Sequence, residues 1–126
     1  MCQILVIYRG KNKVKFFFMK EIGSQVHFVY ANGMETDCFR LGVKFWGRVQ
    51  GVGFRWNVKD VSSEFSVTGY VKNLTDGSVE MLAEGEEEEA LSFLVAVEER
   101  MLGYVTECSQ VARKGESQFS DFRINY

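Results

Sequence analysis

A chain of 126 residues with 46% apolar and 25% charged side chains has the size and composition of one soluble domain around one core. Its longest apolar runs, such as residues 4–8 and 16–19, are too short to cross a bilayer as helices, and the first of them leads into basic residues rather than a small-residue cleavage site. The net charge of −2 divides into +3 over residues 1–40 (six basic, three acidic) and −5 over residues 41–126 (nine basic, fourteen acidic). A net-acidic globule argues against general nucleic-acid binding, which needs a basic face for phosphates.

Residues 1–40 hold three strand-like runs (4–8, 14–19 and 25–31) separated by Gly10-Lys11-Asn12 and Ile22-Gly23-Ser24. Composition allows extra strands or an arm, and the expectation is a loosely ordered N-terminal extension over 1–40 with the domain proper at 41–126. Cys2, Cys38 and Cys108 are odd in number, widely spaced and without a Cys-x-x-Cys pair. They fit a reducing, cytoplasmic compartment better than a disulfide framework or a zinc site. His27 is the single histidine and cannot build a histidine-based metal centre alone.

From Leu41 onward the elements are well marked. Leu41, Val43, Phe45 and Val49 alternate with Lys44, Trp46 and Arg48, the period of a strand. The glycine-rich segment Gly47-Arg48-Val49-Gln50-Gly51-Val52-Gly53 follows. Phe54, Val58, Val61 and Phe65 then recur at helical spacing. Residues 67–74 and 79–83 read as two strands joined through Asp76-Gly77, a turn that needs positive φ. A second helix is expected over 86–102, with Ala90, Leu94, Val97 and Met101 on one face. Its four leading glutamates suit the positive end of a helix dipole. Residues 106–113 and 119–126 read as strands. The order β-α-β-β-α-β, with a short extra strand, predicts a ferredoxin-like α/β (α+β) sandwich: an antiparallel sheet carrying two helices on one face.

The segment ending at Arg55 carries the chemistry. Glycines let successive N–H groups converge on an anion, a helix start adds partial positive charge, and Arg55 offers a planar fork of donors. No Gly-Lys-Ser/Thr follows, so it is not a P-loop. Trp56 stands where a dinucleotide-binding loop would need its third glycine. No Ser–His or Cys–His pair is evident for nucleophilic catalysis.

This nine-residue segment, Gly47 to Arg55, resembles the signature of the acylphosphatase family, and Thr68-Gly69-Tyr70-Val71-Lys72-Asn73 resembles its second signature. Asp76-Gly77-Ser78-Val79-Glu80 and the end Phe122-Arg123-Ile124-Asn125-Tyr126 agree in place and character, so the resemblance covers residues 41–126. It implies a metal-independent, cofactor-free enzyme that hydrolyses acyl phosphates to carboxylate and inorganic phosphate by in-line attack of water. In that reading Arg55 binds substrate, Gln50, Gly51, Val52, Gly53 and Phe54 form the phosphate loop, and Asn73 holds the water. It also implies that the first strand of the sandwich lies beside the strand carrying Asn73. The expected partner is a small acyl phosphate, with no nucleic acid and no membrane, and the expected state is a monomer. Two departures stand out: Leu74 replaces a common hydroxyl residue, and Asn125 a commonly basic one. The alternatives are a non-catalytic phosphate- or carbamoyl-phosphate-binding domain, like the acylphosphatase-like module of hydrogenase-maturation carbamoyltransferases, or an RRM-like nucleic-acid-binding module. The latter shares the element order, but its aromatic motif lies within a strand rather than at a strand-to-helix junction.

Overall fold

The alternation that begins at Cys38 becomes a ten-residue strand. A computed structural model describes residues 14–19, 25–30 and 38–126, the first two segments as strands β1 (Val14–Met19) and β2 (Gln25–Tyr30). These two pair antiparallel in a sheet of their own. His27 lies in β2, opposite Phe17. The remainder of the expected N-terminal extension lies outside the described residues.

The main body runs β3 (Cys38–Gly47), α1 (Phe54–Ser62), β4 (Val67–Asn73), β5 (Val79–Gly85), α2 (Glu87–Arg100), β6 (Val105–Gly115) and β7 (Phe122–Asn125). β3 starts three residues before the expected domain boundary, and Phe39 already belongs to the core. Phe39, Leu41, Val43 and Phe45 of β3 point to one side, as do Val67 and Val71 of β4 and Val79, Met81 and Ala83 of β5. That side meets Phe54, Val58 and Val61 of α1 and Ala90, Phe93, Leu94 and Val97 of α2 in a single cluster. Period-2 strands and period-3.6 helices thus bury one face each, which is the two-layer sandwich expected.

The sheet order is β6-β3-β5-β4-β7. Two expectations need correction. β7 pairs parallel to β4, so the sheet is mixed rather than wholly antiparallel. β3 does not lie beside β4, because β5 sits between them and pairs antiparallel with both. β3 and β4 therefore run parallel, and their C-terminal ends reach the same rim. The register makes this concrete, since Phe45 and Asn73 both stand opposite Val79, one on each side. Two strand spacings put their backbones about 9–10 Å apart.

The other sheet face is crossed near one end by the segment before β7. Glu84, fully buried, accepts from the backbone N–H groups of Gln118 and Phe119 at 3.0 Å each and pairs with Arg40 Nε at 3.1 Å. Phe119 lays its ring 5.6 Å from that of Tyr70, and β7 consequently begins only at Phe122, three residues later than expected. Cys38 is a free thiol, and burial raises its pKa. Cys108, buried in the core, is disulfide-bonded, which overturns the expectation of unpaired thiols at that position.

Candidate active site

β3 ends at Gly47, and the chain turns over the rim of the sheet before entering α1. Gly51 and Gly53 both take φ of +76°, a left-handed conformation that a side chain resists. A Cβ on Gly51 would meet nothing within 4 Å, so the loop is open on that side. Gly53 is the N-cap of α1; it offers no side-chain cap, and the first turn carries no acidic residue. Asn57 N–H donates back to Gly53 O, but the seven amides of residues 50–56 donate to no protein acceptor among the described residues. Orphan donors at a helix start attract an anion.

The two arginines of the segment part company. Arg48 stacks its guanidinium on the Tyr104 ring at 4.8 Å, while its N–H donates to Tyr104 O. Arg55, half-buried in the first turn of α1, faces a cavity of about 200 Å³ at the sheet rim. Its Nη1 donates to Asn125 O at 3.4 Å, and its guanidinium lies 4.9 Å from the centre of the Tyr126 ring. The parallel β4–β7 register places Asn125 opposite Lys72, so the end of the chain arrives beside Asn73.

Asn73 lines the same cavity, together with Val49, Gly51, Gly53, Phe54, Trp56, Ile124 and Tyr126. Among the described residues its carboxamide has no hydrogen-bond partner, and Oδ1 is buried. A half-buried amide left in this state has capacity for a water or a ligand. Among the described residues, Arg55 is the only charged side chain on the cavity wall. A second cavity, of about 410 Å³ on the opposite sheet face, is lined by Arg40, Lys44, Tyr70, Glu80 and Arg113 among others. Two of its cations are already matched, Arg40 by Glu84 and Lys44 by Asp76.

A family model of acylphosphatases matches residues 41–124 of this sequence. The chain belongs to the acylphosphatase family. It hydrolyses acyl phosphates. An acylphosphatase of Caldanaerobacter subterraneus subsp. tengcongensis is 38% identical over 94 residues, covering 65% of this chain and 92% of that one. The crystal structure of acylphosphatase from Bacillus subtilis, at 37% identity, superposes with a TM-score of 0.65 over 70% of this chain and 99% of that one. HypF of T. kodakarensis is also similar, at 27% identity and a TM-score of 0.61, but the match covers only 12% of that chain. Near-complete coverage of stand-alone acylphosphatases favours hydrolysis over the non-catalytic alternatives.

Within this acylphosphatase, the expected site residues fall into three groups. Arg55, Asn73, Gly51 and Gly53 share the cavity wall. Phe54 also touches the cavity, but its ring belongs to the core, 5.2 Å from Phe45, leaving its backbone N–H as the useful group. Gln50 and Val52 are not on the wall. Val52 packs against the core, and Gln50 Nε2 donates to Leu74 O at 2.8 Å and Ser78 O at 2.9 Å. Gln50 thus ties the acylphosphatase loop to the β4–β5 hairpin directly after Asn73. Sequence reasoning missed this clamp, as well as the stacking of Tyr126 on Arg55. The aromatic end of the chain was the available signal for the second; a lone glutamine gave none for the first.

Proposed function

We propose that the free amides of residues 51–56 and the Arg55 guanidinium together grip the phosphoryl group of an acyl phosphate, while Asn73 orients the attacking water. Acyl phosphates carry a good carboxylate leaving group, so the task is positioning and charge stabilisation rather than activation of a strong base. Water oxygen bonds to phosphorus as the bond from phosphorus to the acyl oxygen breaks, releasing carboxylate and inorganic phosphate. Charge developing on the phosphoryl oxygens meets the amides and a bidentate guanidinium already in place. Tyr126 and Asn125 O hold Arg55 before substrate arrives, limiting the entropy lost on binding.

The single observation that carries this reading is the meeting of three features on one 200 Å³ cavity: donor amides and an asparagine side chain, both without partners among the described residues, and the guanidinium of Arg55. No metal enters the scheme, because the loop and Arg55 supply the positive charge. We also propose a monomer working in the cytoplasm. The one-domain size and the free Cys38 thiol support that setting, and the Cys108 disulfide weighs against it. The test is hydrolysis of benzoyl phosphate by the purified chain with and without excess chelator. Turnover unchanged by the chelator is expected; activity that disappears with it and returns with a divalent cation would overturn the scheme.

A further inference from the structure

The phosphoryl half of the substrate is accounted for by the loop, and the cavity wall then has a remainder. Three apolar side chains line it that the phosphoryl chemistry proposed above does not use: Val49, Trp56 and Ile124. Trp56 is the most unusual of these. It is 63% exposed, although tryptophan is among the most costly side chains to leave in water. It follows Arg55 directly in the first turn of α1, where helical side chains lean back toward the N-terminus. The indole is thereby aimed along the helix start toward the phosphate loop rather than into the core, and no ring contact within the described residues holds it elsewhere.

An acyl phosphate bound by its phosphoryl end must project its acyl group from the cradle past this rim. The cavity holds about 200 Å³, too small to enclose both halves of a bulky substrate. Among the described residues the rim also has no charged side chain apart from Arg55, which the phosphoryl group occupies. A flat, apolar acyl group meets an aromatic platform there, whereas a methyl group is too small to cover it.

We propose that Trp56 is a specificity-determining residue: it forms the acyl subsite and gives this enzyme a preference for aromatic over small aliphatic acyl phosphates. The inference rests on the assignment of Arg55 and the loop to the phosphoryl group. Stacking of one aromatic ring on another is worth ~0.5–1.5 kcal/mol, which converts to a selectivity of about 2–10-fold.

The experiment compares kcat/KM for benzoyl phosphate and acetyl phosphate in the wild-type chain, Trp56→Ala and Trp56→Phe, with inhibition by inorganic phosphate measured on each. The wild type is expected to favour benzoyl phosphate. Trp56→Ala should lower the benzoyl-to-acetyl ratio by about 5-fold, Trp56→Phe should keep most of it, and the inhibition constant of phosphate should move little. An unchanged ratio in Trp56→Ala overturns the proposal. So does a parallel loss on both substrates with weakened phosphate inhibition, which would place Trp56 in the phosphate loop instead. If the wild type turned over neither substrate, the hydrolase reading itself would fall, and this inference with it.

Discussion

Gln50 offers the sharpest separation between building the site and touching the substrate. Its Nε2 donates to Leu74 O at 2.8 Å and Ser78 O at 2.9 Å, bridging the glycine loop to the hairpin that begins after Asn73. Replacing it by alanine removes two hydrogen bonds of ~0.5–1.5 kcal/mol each. Neither carbonyl is orphaned, since Gly77 N–H still reaches Leu74 O and Leu74 N–H still reaches Ser78 O. The loss should therefore total about 1–3 kcal/mol, and at about 4–8 °C per kcal/mol for a domain this size Tm should fall by about 4–24 °C. Gln50→Glu should be worse than Gln50→Ala despite its closer shape. It sets carboxylate oxygens against two carbonyl oxygens, with no donor between them. The assay is a pair of thermal melts beside acyl-phosphate turnover, where kcat/KM should drop on the order of 10-fold as the loop loosens relative to Asn73. A Gln50→Glu chain that melted like the wild type would refute the reasoning. Activity lost by Gln50→Ala at unchanged Tm would return Gln50 to the substrate-binding set.

Two further outcomes follow from other parts of the molecule. Burial pushes the Glu98 carboxyl up to about 7, so the folded state holds a proton that the unfolded chain releases near the ordinary value of 4.5. Stability should accordingly decline as pH rises from 5 through 7, and Glu98→Gln should flatten that decline in urea titrations at pH 6 and 8; identical slopes in the two proteins would contradict it. The division into an N-terminal extension and a catalytic unit remains a proposal, supported by the separate sheet that β1 and β2 form. A chain starting at Met34 should fold and keep most of its kcat/KM, and a fall in Tm beyond about 10 °C would show that the removed residues bury substantial surface.

The sequence revealed those parts of the fold that repeat with a period. Leu41, Val43 and Phe45 announced β3, Phe54, Val58 and Val61 announced α1, and Asp76-Gly77 announced the hairpin, because each is a local pattern set by side-chain geometry. The glycine loop was equally legible, since positive φ at Gly51 and Gly53 leaves few other residues suitable. Strand order was not. The placement of β5 between β3 and β4 follows from packing between distant segments, and no period within β3 or β4 encodes it. The same holds for Gln50, whose two acceptors lie 24 and 28 residues away, and for Tyr126, which meets Arg55 only because β7 joins β4 in parallel. Pairing at Cys108 was likewise invisible, because cysteine spacing carries no information on which thiols meet.

The central claim is a division of labour, with Arg55 on the phosphoryl group and Asn73 on the water. It is tested most directly by measuring kcat and inhibition by inorganic phosphate for Arg55→Gln and Asn73→Ala side by side. Both variants should lose activity on the order of 10²–10³, the scale for removing a principal transition-state interaction. Only Arg55→Gln should bind phosphate markedly more weakly, while Asn73→Ala should retain near-wild-type phosphate affinity because its partner is water. Equal loss of phosphate affinity in the two variants, or more than about a tenth of wild-type activity surviving in folded Arg55→Gln, would contradict the assignment.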